Sequence, residues 1–292
     1  RHLLEFDTVH GKWNADFSNN ATTISIDDKK LLFTSYNKIE ELKLDGIDIV
    51  LDCTGVYKSQ DKLKPYFDKG VKKVIVSAPI KEKEVANLIY GINHEVYNPK
   101  THKVITAASC TTNCLAPIIE VIHNNIGIIH GSITTIHNTT NSQTLVDRPG
   151  KDLRRSRSSL NSLIPTTTGS ASAISLIYPD LKGKLNGHAV RVPLLNSSLT
   201  DCVFEVKRDT SKLEANNLFK EASESYLKDI LGYEEAQLVS ADYVNDDRSA
   251  VVDASSTMVI NKRQLKVYAW YDNEIAYAKR MVDIFEFVSS CI

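Results

Sequence analysis

The sequence predicts two architectures in succession. A parallel α/β unit precedes Cys110, and an α+β unit with a mainly antiparallel sheet follows it. Three observations carry this reading. Strand, helix and strand alternate between Ile47 and Val76. From Ile128 onward, apolar segments of strand length follow one another with few helices between them. The length, 292 residues, suggests two domains at about 150 residues each.

The elements follow in order. Ile47-Asp48-Ile49-Val50-Leu51 is an apolar run rich in β-branched residues, and it ends in Asp52-Cys53-Thr54-Gly55; this is the pattern of a buried strand. Ser59 to Lys69 reads as a helix with Leu63, Tyr66 and Phe67 on one face and Gly70 as its stop. Val74-Ile75-Val76 is the next strand, closing a βαβ unit and implying a parallel sheet. Thr54, Gly55, Ser77 and Ala78 then stand at carboxyl ends of strands, where ligands of such sheets sit, although plain turn residues would read the same way. Beyond Cys110, strands are expected at Ile128 to His137, Gly187 to Val192, Leu199 to Val206 and Leu265 to Tyr271. A helix from Ser211 to Leu227 lies among them, with Leu213, Leu218, Phe219 and Ala222 as its buried side. Ser211 is its N-cap, and Glu214 stands at capping-box spacing. A last helix begins near Asn273, with Ile275, Ala278, Val282 and Phe285 on one face. Asn138 to Pro165 is a long polar loop carrying Arg154, Arg155 and Arg157, and loops of that length in compact domains are usually functional.

Composition excludes several classes. Lys and Arg number 35 against 36 Asp and Glu, so no nucleic-acid or membrane-surface partner is indicated. Hydrophobic residues at 42% with near-zero net charge exclude a disordered chain. No apolar run approaches the ~20 residues of a membrane span. Five cysteines without framework spacing point to a reducing, cytoplasmic setting.

The most informative stretch is Ala108-Ser109-Cys110-Thr111-Thr112-Asn113-Cys114-Leu115-Ala116-Pro117. Val104-Ile105 leads into it, and Leu115, Ile118, Ile119 and Ile122 give a helical stripe beyond. Cys110 therefore lies where a strand ends and a helix begins, with Ser109 as N-cap. Free amides and the helix dipole favour an anion there, so a thiolate at Cys110 is stabilised. A thiolate is the form that attacks carbonyl carbon. A small buried hydrophobe is the commoner fate of a free cysteine, and spacing alone leaves both readings open. Cys110 and Cys114 lack a second ligand pair at zinc spacing, so no metal is expected. Pro117 should distort the helix locally. Among eight histidines, His137 is the best base, because it ends an apolar strand before the polar loop. His188, inside a strand pattern, reads as a core residue. Thr139-Thr140-Asn141-Ser142, Thr166-Thr167-Thr168-Gly169 and Arg191 offer the hydroxyls, amides and guanidinium that hold phosphate. The second threonine run also suits a helix N-cap.

Together these residues resemble the glyceraldehyde-3-phosphate dehydrogenase family. Asp7-Thr8-Val9-His10-Gly11, Thr54-Gly55-Val56, Ser77-Ala78-Pro79, Gly91-Ile92-Asn93-His94, the nine residues Ser109 to Pro117, Arg191-Val192-Pro193 and Trp270-Tyr271-Asp272-Asn273-Glu274 stand in family order. The resemblance runs over the whole chain. It implies a Rossmann-type NAD(P)-binding domain at 1–109 and 274–292 and a catalytic domain at 110–273. It implies an oxidoreductase in which Cys110 is the nucleophile, His137 the base, and a thioester forms before phosphate attacks. Ser109, Thr111, Thr168 and Gly169 match the site for inorganic phosphate. Thr140, Ser142 and Arg191 match the site for the substrate phosphate, with Ser142 in place of the family's usual threonine. Thr54, Ser77, Asn273 and Tyr277 match cofactor contacts. The cofactor implied is NAD, with NADP left open, and the assembly implied is a homotetramer.

The departures have their own implications. Ile275-Ala276 replaces the common Phe-Gly, and Cys53 stands where serine is usual. The loop Asp147 to Arg155, with Gly187 to Leu194 and Leu199 to Val206, resembles the family branch encoded beside arsenate-resistance transporters, in which arsenate is the attacking anion. No G-x-G-x-x-G turn is present, and Arg1 to Asp7 matches a point inside the family's first domain. By comparison an N-terminal segment is missing, so the chain as given is expected to bind NAD poorly and to show little activity. The competing readings are a dehydrogenase of erythrose 4-phosphate and a truncated, non-enzymatic family member.

Overall fold

The computed structural model describes residues 1–292. Its first segment is peripheral. A one-turn helix α1 (His2–Glu5) leads into a ribbon of β1 (Phe6–Asp7) and β2 (Gly11–Lys12). A meander of β3 (Phe17–Asn19), β4 (Thr23–Ile26) and β5 (Lys29–Leu32) follows. No residue of these six elements is buried.

The parallel sheet comes next. It comprises β6 (Ile49–Asp52), β7 (Lys73–Val76), β8 (Ala86–Asn87) and β9 (Val104–Thr106), in the order β6-β7-β9-β8, and every pair is parallel. Helix α2 (Gln60–Asp68) crosses between β6 and β7. Ser59 caps it, its side chain accepting from the Lys62 amide. Leu63 and Tyr66 of this helix pack with Val74, Val76 and Val104 on one face of the sheet. The Tyr66 hydroxyl donates to Asp52 Oδ2 at 3.2 Å, satisfying a carboxylate that the sheet buries.

Helix α3 (Cys110–Asn125) leaves β9 and is buried from Thr111 to Ile119. It runs unbroken through Pro117, contrary to the expected local distortion. Its first turn is held from outside the ladder: Asn113 Nδ2 donates to the carbonyls of Ala107 and Ser109 at 2.8 and 2.9 Å.

The rest of the chain builds a seven-stranded sheet. In chain order it comprises β10 (Ile128–His137), β11 (Ile164–Thr167), helix α4 (Ser170–Ile177), β12 (Leu185–Arg191), β13 (Ser198–Val206), helix α5 (Lys212–Glu224), β14 (Leu231–Glu234), β15 (Ala250–Ile260) and β16 (Gln264–Tyr271). The spatial order is β11-β12-β10-β13-β16-β15-β14. Two pairs, β10 with β12 and β14 with β15, are parallel, and the other neighbours are antiparallel. Burial alternates along β13 and β16, so one face of the sheet is covered by α3 and α5. The chain closes with α6 (Ile275–Ser289), which returns to the parallel sheet and packs Met281, Ile284 and Val288 against Ile75, Leu88 and Ile105. No helix is long and apolar enough to cross a membrane.

Four details differ from the sequence reading. His188 is exposed, because the β12 pleat turns it away from the core while Ala189 faces inward. Leu213 is 71% exposed; α5 instead buries Ala215, Asn216, Phe219 and Ala222. Ser211 accepts from the Glu214 amide, but the Glu214 carboxylate turns to Arg208 and Thr210 and leaves the capping box half closed. The buried face of α6 lies on Ala276, Arg280, Met281, Ile284 and Val288, about one residue around the helix from the expected stripe. Arg280 is buried there because Asp283 pairs with it at 2.9 Å, a partner that an apolar-stripe argument does not weigh.

Gly187 sets how closely β12 approaches β10. A Cβ at this position would lie 2.2 Å from the Ile133 carbonyl oxygen. Gly187→Ala should therefore force two backbones apart and destabilise the protein by roughly 1–3 kcal/mol, read from a shifted denaturation midpoint. An unchanged midpoint would show that the strand pair can yield at no cost.

Candidate active site

A sharp turn between β9 and α3 delivers Cys110. Ala108 adopts φ +54°, a left-handed conformation that alanine takes at a cost of about 1 kcal/mol. Its amide donates to Thr106 Oγ1 at 3.2 Å, and its carbonyl accepts from the Tyr277 hydroxyl at 3.2 Å. Ser109 then caps α3 by accepting from the Thr112 amide at 3.2 Å. Cys110 is thus the first helical residue, beside the free amides of the helix start.

His137 arrives from the other domain-scale element, as the last residue of β10. The register of the parallel β10–β12 pair sets it opposite Arg191. Its Nε2 lies 3.7 Å from Cys110 Sγ. Its Nδ1 has two neighbours, the Asn138 carbonyl oxygen at 2.9 Å and Arg191 Nη1 at 2.7 Å. Arg191 Nη1 also donates to that same carbonyl at 2.9 Å. Asn138 is fully buried; its side-chain amide donates to the Leu195 carbonyl, and its Oδ1 lies 3.2 Å from the Ser198 hydroxyl. The same hydroxyl lies 3.1 Å from Asn273 Oδ1.

Hydroxyls and a second arginine surround Arg191. Thr140 Oγ1 and Ser142 Oγ are 2.9 Å apart, and Arg155 Nη1 donates to Ser142 Oγ at 2.8 Å. Arg155 is paired with Asp152 at 3.4 Å through Nε, which leaves its Nη1 on Ser142, and Arg191 has no acidic partner; two guanidinium groups beside two hydroxyls are the donor set of an anion site. The sequence reading placed Arg155 only in a polar loop. Its proximity depends on how residues 138–163 fold back, and spacing carries no signal of that. Tyr271 was also missed as a site residue: its hydroxyl bonds Thr111 Oγ1 at 2.9 Å and Thr135 Oγ1 at 2.8 Å, bracing the start of α3 against β10.

The remaining predicted residues have more local partners. The Ser109 hydroxyl is engaged with Thr112, and that of Thr111 with Tyr271. Thr168 and Gly169 stand at the start of α4, with Thr168 Oγ1 3.1 Å from Ser170 Oγ. No hydrogen bond joins these two halves. Thr54 and Ser77 sit just past β6 and β7; the Thr54 hydroxyl donates to Asp52 Oδ1 at 2.7 Å, and the Ser77 amide to the Asp52 carbonyl. The donors present suit a nicotinamide nucleotide. With its oxygen facing Ser198, the Asn273 amide has its NH2 left to offer a ligand carbonyl. Gly55, at φ +68°, has open space where a Cβ would stand.

The electrostatics oppose the expected thiolate. Burial pushes the Cys110 thiol above its ordinary value, although the Thr111 amide and hydroxyl and the Arg191 charge pull it down. Burial, then the Arg191 charge, depresses His137 to about 4. Burial thus works against the charged form of both groups, while at sulfur the helix start and the Arg191 charge work the other way.

A buried imidazole beside a partly exposed thiol, standing between a parallel nucleotide-type sheet and a mixed sheet, belongs to the two-domain, NAD-binding oxidoreductases. Family comparison fixes which: residues 1–60 match the NAD binding domain of glyceraldehyde 3-phosphate dehydrogenase, and residues 109–273 match its C-terminal domain. The chain is 57% identical over 286 residues to glyceraldehyde-3-phosphate dehydrogenase 3 of Nostoc sp. (strain PCC 7120), covering 97% of this chain and 85% of that one. It is 44% identical over 291 residues to the Geobacillus stearothermophilus enzyme, covering 99% and 87%. It is 45% identical over 284 residues to that of Pseudomonas aeruginosa, covering 97% and 84%. The chain belongs to the glyceraldehyde-3-phosphate dehydrogenase family, and its cofactor is NAD.

Two measurements follow. Cys114 and Cys202 are fully buried, whereas Cys53 and Cys291 are exposed and Cys110 is partly so. Iodoacetamide should spare Cys114 and Cys202 in the native protein, and loss of turnover should track the Cys110 adduct alone in peptide mapping. Second, His137 binds its proton less tightly folded than unfolded, so the unfolded chain takes up protons first as pH falls. Stability should drop progressively from pH 6.5 towards about 4 and then level off with respect to this group. Urea midpoints measured across that range should show a shallower drop in His137→Asn.

Proposed function

We propose that the protein oxidises glyceraldehyde 3-phosphate through a thioester on Cys110, with phosphate as acyl acceptor. The observation that carries this reading is the 3.7 Å approach of Cys110 Sγ to His137 Nε2 beside an arginine-lined anion cluster. Sulfur adds to the aldehyde carbon while His137 takes up the thiol proton, giving a hemithioacetal. The protonated imidazole, 3.7 Å from sulfur, is placed to stabilise the developing oxyanion. NAD, when bound, supplies the two-electron acceptor that turns this adduct into the thioester. Asn273 would hold its carboxamide and Thr54 and Ser77 would contact its nucleotide side, while Tyr277 braces the Ala108 turn. Thr140, Ser142, Arg155 and Arg191 hold the substrate phosphate. Ser109, Thr111, Thr168 and Gly169 receive the attacking anion once the first two hydroxyls release their present partners.

The division we propose is 1–109 with 274–292 for the nucleotide domain and 110–273 for the catalytic one. The packing of α6 on the parallel sheet supports it. A homotetramer in the cytoplasm completes the reading, as the family resemblance implies. NADP as cofactor and arsenate as acceptor are its finer variants. The loop Asp147 to Arg155 favours arsenate, and one comparison bears on it: turnover with arsenate replacing phosphate, set beside the neighbouring genes.

The test is kinetic. Cys110→Ala should abolish turnover. Arg191→Leu removes a hydrogen bond to a charged group, so kcat/KM should fall by about 1.5–3 kcal/mol, roughly ten- to a hundredfold. Undiminished efficiency in Arg191→Leu would remove Arg191 from the phosphate site. Higher kcat/KM for erythrose 4-phosphate than for glyceraldehyde 3-phosphate would replace the substrate.

A further inference from the structure

Asp7-Thr8-Val9-His10-Gly11 has no part in the chemistry above, yet one of its side chains reaches the segment that carries Asn273. His10 alone among residues 1–33 hydrogen-bonds to the rest of the chain. Asp7 Oδ1 fixes its turn by accepting from the Val9 and His10 amides at 2.7 and 2.8 Å. The His10 ring then lies between two acceptors. Its Nδ1 is 2.6 Å from Asn245 Oδ1, in the loop between β14 and β15, and its Nε2 is 3.0 Å from Glu274 Oε2, just before α6.

Those two acceptors are joined behind the ring. Asp272 is fully buried; its Oδ2 accepts from the Asn245 amide at 2.8 Å, and its Oδ1 from the Glu274 and Ile275 amides at 2.8 and 2.9 Å. Asn273 therefore stands on a turn tied on one side by the Asp272 carboxylate and on the other by the contact of Glu274 with His10. Only an imidazolium donates from both ring nitrogens. A neutral ring has one N–H, so with the acceptors as they face it one of the two bonds is lost. The charged groups that face the ring are Asp7 on its own ribbon and Asp272 and Glu274 before α6. Burial opposes the charge, but the Asn245 and Glu274 bonds and the two carboxylates before α6 outweigh it and hold His10 above its ordinary 6.5.

Resting on the reading that Asn273 holds the nicotinamide carboxamide, we propose that His10 is a positioning residue for Asn273. In its protonated form it clasps Asn245 to Glu274 and so fixes the turn on which the Asn273 amide stands. The ribbon of β1 and β2 is thereby coupled to the nicotinamide end of the cofactor, and by reciprocity a bound nicotinamide steadies the ribbon.

ADP-ribose, which lacks the nicotinamide, separates this role from a general weakening of the nucleotide domain. Titration calorimetry on the full chain, at concentrations that reach millimolar affinities, should show NAD binding about three- to tenfold weaker in His10→Ala, the scale of a lost hydrogen bond, with ADP-ribose binding unchanged. The proton gives a second signature. The clasp is complete below pH 6.5 and is lost as pH climbs through the raised His10 value, so the preference for NAD over ADP-ribose should shrink above pH 6.5 in the wild type and hold steady in His10→Ala. Equal losses for the two ligands, no loss for either, or a wild-type preference indifferent to pH overturns the proposal, as does a wild-type chain that binds no NAD. Asn273→Ala is the control on the premise: an unchanged preference for NAD in that variant would sink the placement of the nicotinamide, whatever His10 does.

Discussion

The parallel pairing of β10 with β12 is the constraint on which the site depends. In that register His137 and Arg191 face each other at the strand ends. The imidazole and the guanidinium are therefore set by backbone geometry, not by a flexible loop. The pair is tight because Gly187 lets the strands meet at Ile133. A parallel connection requires a crossover, and that crossover contains the Asn138 to Leu163 loop, β11 and α4. The segment that supplies Thr140, Ser142 and Arg155 is thus the one the pairing obliges to exist.

Cys110 is fixed from the opposite side by different means. The Ala108 turn, the Ser109 cap and the Asn113 side chain hold the start of α3, and Tyr271 joins that start to β10 through Thr111 and Thr135. The hydrogen bonds of Tyr271 reinforce the link between two chain segments that also meet at the Cys110–His137 contact. Burial is the expense of this construction: it raises the thiol and lowers the imidazole, so rigidity is obtained against ionisation.

Much of this was legible in the residues. Ser211 announced its helix because a hydroxyl cap is a local interaction, and the β6–α2–β7 unit followed from run length and β-branching. Failures came where a second element decides. Leu213 looks buried on a helical wheel, yet the neighbours of α5 cover the adjacent stripe. The face of α6 is displaced because Arg280 is paired with Asp283 and then buried with it. At the site, the motif around Cys110 and the strand end at His137 are sequence features, but their separation in space is not. Arg155 and Tyr271 had no local signature, since each acts through a contact made across the fold. The helix start at Cys110 is a local feature that a sequence shows, whereas the desolvation that pushes its thiol up is a property of everything around it.

Ser198 illustrates what a single hydrogen can arbitrate. Its hydroxyl lies between two side-chain amide oxygens, those of Asn138 next to His137 and Asn273 just before α6. One proton serves one acceptor at a time. Whichever amide it serves is held in orientation, and the other must find its donor elsewhere or turn. The two halves of the molecule thus share an exclusive resource. Ordering one amide loosens the other, and by reciprocity a ligand that supplies a donor to either returns the hydroxyl to its rival.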